Sequence, residues 1–453
     1  MSRYGKGRRS AFLGISVLAV AALAAAGCSS SSTSSTAPPA TSGAATTPAS
    51  TGSASPSSSS SQGGLGPAAV TDYLSYVGGK AGPANNSLPP VLIGFVNQQG
   101  GQQVIGADAT TGSQMAVKYI NTELGGIGGH PLQLVTCFIA SAEEEGTGCA
   151  QKFLANKNIH VISMGGVVIG DQSFFATLGG KLPVVSGVAA LPIDGAQQNT
   201  AVLFGDGTHV LGPMGTYAKD VLHAKTAAVI YPNDPSTLPG AQAVQAGLKA
   251  AGVTVKMAPY PATQTDLTGV LTAAGATTAD MVVPFVSAPT CVNIAKALVQ
   301  LGITDIKKIV SAPLCLNGQV AAGLGGDFPK WTYSIASSLF GDPSDPGMPA
   351  YEAVAKKYST PADSPDPWNI VDFGQTLTIA KIMNQIGYDN LSPATILAGL
   401  KAFKGPQALG APQLACGKYA SAPGICNDRA QFFEYTGKNN WVRAALWLQP
   451  PGA

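Results

Sequence analysis

Val91-Leu-Ile-Gly-Phe-Val-Asn-Gln-Gln-Gly100, Gly112-Ser-Gln-Met-Ala-Val-Lys-Tyr-Ile-Asn121 and Gly125-Gly-Ile-Gly-Gly-His-Pro-Leu-Gln-Leu134 together decide the fold. The first piece opens on a nearly continuous apolar run, as expected of a strand covered on both faces. It then enters a loop rich in side-chain amides. The second piece belongs to an amphipathic segment, 107–124, whose spacing predicts a helix. Gly125–Gly129 reads as a turn. No helix opens directly after it with dinucleotide spacing. A second apolar run, 132–138, completes the unit. Strand, helix, turn and strand in this order imply a βαβ unit with parallel pairing.

The same rhythm continues outward. Further strands are predicted over 91–97, 159–164, 182–187, 200–205, 226–231, 254–260, 281–286, 307–312 and 333–337. Helices are predicted between them over 143–156, 208–222, 239–251, 266–276 and 290–301. Roughly 360 residues of alternation is too long for one such sheet, so two lobes are expected. The break is expected near Gly205–Thr208, where a strand ends and a new helix begins. Ala68–Val77, ahead of the first strand, reads as a short helix packed on the outside, within an extension over 67–90.

With these stretches in hand, the chain resembles the leucine/isoleucine/valine-binding protein family, the type I periplasmic solute-binding proteins of ABC transporters. Leu182-Pro-Val-Val-Ser186, Ala227-Ala-Val-Ile-Tyr231, Gly252-Val-Thr-Val255 and Ala279-Asp-Met-Val-Val283 extend the likeness, which runs from about Val91 to Gln449. The resemblance implies an α/β fold of two Rossmann-like lobes with parallel sheets, joined by three crossovers. Carried over, lobe one takes 91–205 plus 338–415, and lobe two takes 206–337 plus 416–453. It also implies a monomer with no cofactor, a small-molecule ligand held between the lobes, and an ABC permease as partner. Independent physics places ligands at the same edge, where strand C-termini and helix N-termini converge.

Each strand end offers a loop to that cleft. In lobe one these carry Asn97, Gln98 and Gln99, then Gly165, Gly166 and Val167, then Ser186, Gly187 and Val188. Lobe two offers Tyr231, Asn233 and Asp234, then Phe285 and Ser287, then Leu314 beside Pro313. His209, at the start of the helix after the crossover, is a further candidate. For any one of these the plainer reading is an ordinary packed or solvated loop residue. For His209 it is a polar group at a helix start.

Departures from the family pattern bear on the ligand. Amino-acid binders of this family hold the ligand carboxylate with hydroxyls and amides after the third and fourth strands. They hold its ammonium with an acid in lobe two. Here the third-strand loop reads Gly165-Gly-Val-Val168, without a hydroxyl, and Ser186-Gly-Val-Ala189 keeps one. Leu314, in Ala312-Pro-Leu-Cys315, takes the place of the acid. A zwitterion lacking those partners would meet a large desolvation cost. A neutral or largely apolar ligand, or one with a single charge, is therefore expected. Asp234 keeps open a rearranged pocket for a branched-chain amino acid.

The N-terminal residues set the compartment. Arg3, Lys6, Arg8 and Arg9 precede an uncharged apolar run, Ala11–Ala26, which is short for a membrane span. The run ends Leu23-Ala-Ala-Ala-Gly27-Cys28, which resembles the lipobox of bacterial lipoproteins. That implies a signal peptide over 1–27 and a lipid on Cys28, anchoring the protein to the outside of the cell membrane. An ordinary secretory signal is the alternative. Arg8-Arg9 with Phe12-Leu13 misses twin-arginine spacing by one residue, leaving the export route open. From Cys28 to residue 66 the chain is almost wholly Ser, Thr, Ala, Pro and Gly. Such a tract buries too little apolar surface to order itself, and reads as a tether. Whether it is glycosylated stays open.

Of seven cysteines, the lipid consumes Cys28, leaving an even number for an oxidising compartment. Proximity suggests Cys137 with Cys149, Cys291 with Cys315 and Cys416 with Cys426, although other pairings are formally allowed. No C-x-x-C occurs and the four histidines are scattered, so no metal site is expected. Removing the four leader cations leaves 22 Lys+Arg against 24 Asp+Glu, about −2, with no basic stripe for nucleic acid. G-x-S-x-G, H-E-x-x-H and G-x-x-x-x-G-K-[ST] are all missing, which argues against an enzyme. Glu143-Glu-Glu145 reads as acids at a helix start. A solute receptor for import leads. A ligand sensor of the same fold, or an envelope enzyme, is the alternative.

Overall fold

The computed structural model describes residues 69–101, 106–234, 237–286, 288–358 and 367–452. The expected leader, Cys28, the tether and Ser287 all lie outside these residues.

The chain begins with α1 (Tyr73–Val77), capped by the Asp72 carboxylate on the Ser75 N–H at 3.2 Å. It continues as β1 (Val91–Gln98), α2 (Gly106–Glu123), β2 (Leu132–Ile139), α3 (Glu143–Ala155), β3 (Ile159–Met164), α4 (Asp171–Leu178), β4 (Val184–Ala189), α5 (Pro192–Ala196) and β5 (Thr200–Asp206). Next come α6 (Pro213–Thr216), β6 (Thr226–Pro232), α7 (Leu238–Ala250), β7 (Thr254–Tyr260), α8 (Thr268–Ala273), β8 (Met281–Pro284), α9 (Ala288–Gln300), β9 (Val310–Ser311), α10 (Gly318–Gly323) and β10 (Thr332–Ile335). Three helices follow, α11 (Met348–Tyr358), α12 (Pro367–Ile386) and α13 (Pro393–Ala402), and then the strands β11 (Ala430–Gly437) and β12 (Asn440–Leu448).

The first sheet is wholly parallel, in the order β2–β1–β3–β4–β5. β1 is buried on both sides, which explains its unbroken apolar run. Val91 and Ile93 enter a cluster with Met115 and Phe373, whereas Val96 enters the opposite one with Phe153 and Phe174. α2 and α12 cover the first face, and α3 and α4 cover the second. Phe373, Leu377, Ile382 and Met383 of α12 are fully or almost fully buried. Each contributes roughly 1.5–3 kcal/mol by leaving water.

The second sheet joins a parallel piece, β7–β6–β8, to the piece β12–β11–β10–β9 through a parallel bridge between Val282 and Ile309. β9 pairs with β10 in parallel, but β11 and β12 run antiparallel. The sheets are otherwise parallel, as expected, and this ribbon is an antiparallel addition to the second. Its turn, Gly437 to Asn440, places Lys438 at φ 53° and Asn439 at φ 57°, the double left-handed geometry of a tight hairpin. The chain crosses between sheets after β5, again between β10 and α11, and a last time before β11.

Three other local departures have physical causes. The helix expected over 208–222 is broken into a 3-10 turn, His209–Leu211, then α6, then a π turn, Tyr217–Val221. Pro213 has no N–H to continue a ladder from the 3-10 turn. Strand 307–312 shrinks to Val310–Ser311. The segment Cys416–Cys426, expected to open the tail of lobe two, lies along the first sheet instead. Ile425 bridges Val202 in parallel, the Cys426 N–H donates to the Val202 carbonyl at 3.0 Å, and Cys426 joins the core around Phe204.

The structure joins Cys137 to Cys149, Cys291 to Cys315 and Cys416 to Cys426, the local pairs that proximity suggested. Each cross-link is worth roughly 3 kcal/mol for a loop of this size. Non-reducing peptide mapping is expected to return these three linkages and no crossed one.

Helix α12 reaches α2 through a glycine. A Cβ on Gly112 would stand 2.3 Å from the Asn369 carbonyl oxygen, a backbone atom that cannot swing aside. Gly112→Ala is expected to destabilise by about 1–3 kcal/mol, because overlap outweighs the gain in helix propensity of about 1 kcal/mol. Chemical denaturation measures it, and an unchanged or raised midpoint contradicts the close approach.

Candidate functional site

The strand order decides which loops meet. β1, β3 and β4 are neighbours, so the loops after Gln98, Met164 and Ala189 line one stretch of the first sheet's C-terminal edge. The order reverses between β1 and β3, where an open α/β sheet forms a crevice. In the second sheet β6, β8 and β9 are consecutive, bringing together the loops after Pro232, Pro284 and Ser311.

Within the first set, most predicted residues serve the fold as well as the edge. Asn97 is fully buried, and its Nδ2 donates to the Gly106 carbonyl and the Thr110 hydroxyl, each at 3.0 Å. It thereby ties the end of β1 to the start of α2. Gln98, also fully buried, turns its Oε1 to the backbone N–H groups of Val168 at 2.9 Å and Ile169 at 3.3 Å. Those partners can only donate, which fixes the amide orientation. Gln99 is half-buried and accepts from the Thr110 hydroxyl at 2.7 Å. Gly165 lies against Asn97, where a Cβ would stand 2.7 Å from Oδ1. The Gly166 carbonyl accepts the Gln98 N–H.

Val167 is buried in the core beside Phe174. The Ser186 hydroxyl is fully buried and donates to the Val188 carbonyl at 3.2 Å. Gly187 gives room to α12, since a Cβ there would meet Val371 Cγ1 at 2.2 Å. Val168, Ile169 and Val188 remain half-buried.

In the second set, Tyr231 and Phe285 both pack in the core with Val244. Phe285 lies flush on Gly240 of α7, where a Cβ would stand 2.3 Å from its ring. Asn233 is exposed. Asp234 stands in the loop ahead of α7, accepting from the Thr237 N–H at 3.0 Å and the Thr237 hydroxyl at 2.9 Å. Leu314 presents 46% of its surface to solvent. His209 stands apart from both sets, at the crossover after β5. Its Nδ1 lies 2.8 Å from the Asp206 carboxylate, and its ring packs against Tyr419 at 4.0 Å between centroids.

Three features escaped sequence reading. Gln375 of α12 donates through Nε2 to the Ser163 hydroxyl at 2.6 Å and to the carbonyls of Met164 and Val185. It holds together the ends of β3 and β4. Glu143, taken as a solvated acid, accepts the N–H groups of Gly170 and Ser173, each at 2.8 Å, and so caps α4 from a neighbouring helix. The Ser173 and Gly170 donors hold its carboxyl below the usual range.

Asp171 and Asp194 are the third feature. Both are 1% exposed and stand at the starts of α4 and α5, where each carboxyl feels the other. Burial, then the neighbouring Asp194 charge, pushes Asp171 up to about 10, and burial also raises Asp194. Two adjacent buried carboxyls share at least one proton at neutral pH.

A family profile described as periplasmic binding protein matches residues 90–420, most of the described chain. The chain belongs to the periplasmic binding protein family. Solved structures agree on its type I fold. A leucine-binding protein from Thermotoga maritima is 16% identical with a TM-score of 0.61, over 80% of this chain and 100% of that one. An ABC transporter substrate-binding protein from Sphaerobacter thermophilus is 14% identical with a TM-score of 0.65, over 80% and 98%. A solute-binding protein from Rhodopseudomonas palustris HaA2, in complex with p-hydroxybenzoic acid, is 16% identical with a TM-score of 0.63, over 80% and 99%. No curated protein sequence matches this binding protein.

The buried acid pair makes a pH prediction. A carboxyl whose folded pKa is raised contributes stability that is complete below the unfolded carboxylate range. That stability is lost as pH climbs through the folded value. The wild type should therefore lose stability relative to Asp171→Asn between about pH 4 and 10, by on the order of 1 kcal/mol per pH unit at most. Paired thermal unfolding curves at pH 5, 7 and 9 check this. A difference that does not change with pH would show that the pair holds no excess proton.

Proposed function

We propose that this binding protein is the extracytoplasmic, lipid-anchored solute receptor of an ABC importer, capturing a small neutral or largely apolar organic molecule between its two lobes. The observation that carries this reading is the pair of neighbouring loop sets, one at the C-terminal edge of each sheet, in a chain that crosses three times between them. Capture between such edges needs only that ligand contacts favour the closed arrangement over the open one. The lipid on Cys28 and the tether to residue 66 would keep the receptor near its permease.

The ligand class rests on the lobe-two loops. The carboxylate of Asp234, the one acid there that could meet a ligand ammonium, is engaged by Thr237. Leu314 offers apolar surface where amino-acid binders carry an acid. Val168, Ile169 and Val188 add apolar surface from lobe one, with Asn233 and Gln99 as orienting amides. A relative of the same fold holds p-hydroxybenzoic acid, so solutes other than standard amino acids suit the architecture.

Each hydrogen bond to a charged group is worth roughly 1.5–3 kcal/mol. Losing two or three weakens a zwitterion by about 4 kcal/mol, on the order of a thousandfold. Isothermal titration with leucine, isoleucine and valine should therefore show no micromolar binding. Tight binding of any of the three would contradict the ligand class. Small-angle scattering should record a smaller radius of gyration once the retained ligand is restored to saturation. An unchanged radius would speak against a two-lobe clamp.

A further inference from the structure

We infer that the ligand places no carboxylate or other anionic group against the loops after β3 and β4, because the chain's own oxygens already occupy donors there that would receive it. This rests on the receptor reading above and narrows its ligand class.

In an α/β sheet, an anion is held by backbone N–H groups at the starts of helices and in the loops before them. In the loops after β3 and β4 on this edge, five such donors are taken from within. The Gln98 amide oxygen accepts Val168 and Ile169. The Glu143 carboxylate accepts Gly170 and Ser173. The Asp194 carboxylate accepts the Leu191 N–H at 3.1 Å. The loops after β3 and β4 are thus capped along consecutive donors by side chains of β1, α3 and α5. A ligand carboxylate would have to displace an oxygen that costs nothing in translational entropy to bring there.

Charge points the same way, independently of that capping. The Asp171–Asp194 pair lies at the starts of α4 and α5, with Glu143 and Asp206 as the charged groups near it. No lysine or arginine among the described residues pairs with any of these four acids. An anion arriving there finds no lysine or arginine among these groups to serve as its counter-charge. What the edge leaves for the ligand is the half-buried apolar surface of Val168, Ile169 and Val188. The solute class that fits is an uncharged molecule such as an amide, ester, alcohol or lactone with an apolar body.

Matched probes test this by calorimetry at pH 7: benzamide against benzoate, 4-hydroxybenzyl alcohol against 4-hydroxybenzoate, and octanol against octanoate. The molecule released from the purified protein is identified by mass spectrometry in parallel. The neutral member of a binding pair should bind at least tenfold more tightly, and the released molecule should lack a carboxylate. Glu143→Ala, which frees the Gly170 and Ser173 donors, should narrow that gap. Gln98→Leu should do so at Val168 and Ile169. A carboxylate that binds as tightly as its neutral partner, or that is itself the released molecule, overturns the inference and leaves the receptor standing. Failure of every pair to bind, with no molecule released, overturns the receptor reading and this inference with it.

Discussion

Both faces of β1 are apolar, and a parallel sheet with such strands must be covered on both sides. The segment that supplies the five strands of the first sheet also supplies α3 and α4 for one face. For the other it supplies α2, which is too narrow to cover the face alone. The missing cover is α12, drawn from residues more than 160 positions beyond the last strand of that sheet. To deliver α12 the chain must leave, build the core of the second sheet, and come back. To finish the second sheet with β11 and β12 it must leave again. The three crossings are therefore a consequence of how one sheet hides its second face. Gly112 and Gly187, with no side chain, are what let α12 lie close enough to do this.

Much of this was legible in the sequence because it is local. Strand and helix periodicities located β1 to β8 within a few residues, and continuous apolar runs implied covered parallel strands. The C-terminal ribbon carried a usable sign as well. Phe432-Phe-Glu-Tyr-Thr436 ends at Gly437-Lys-Asn-Asn440, a turn suited to left-handed residues, and the strand inventory passed over it. What could not be read is the pairing of distant side chains. Gln375 meets Ser163 across 212 positions, and nothing in its neighbourhood distinguishes it from any other helical glutamine. Asp171 and Asp194 each look like an acid at a helix start, and only their contact makes them share a proton.

The candidate site shows the same limit in a sharper form. Asn97 and Gln98 are where an amide-rich ligand loop was expected, but their amides fasten α2 and the loop after β3. A side-chain amide at a strand end reads identically whether its partner is a solute or the chain itself. Tyr231, Val167 and Phe285 illustrate the apolar version, since a strand-end aromatic can face a cleft or close a core. Position along a strand tells which edge a residue occupies. It does not tell which way the side chain has been used.

Asn427 lies in the last crossing and donates to the Phe204 carbonyl at 3.0 Å, just before the first crossing begins. Its Oδ1 accepts the Arg429 N–H, and the Cys416–Cys426 cross-link ends one residue earlier. Two strands of the connection are thus stitched side by side and pinned to the first sheet up to Cys426. Little slack is left before β11 starts at Ala430. A connection so short and so tethered resists sliding of one lobe past the other, while leaving the backbone torsions of a few residues to turn. The freedom left in this crossing lies in the backbone torsions of the few residues between Cys426 and Ala430.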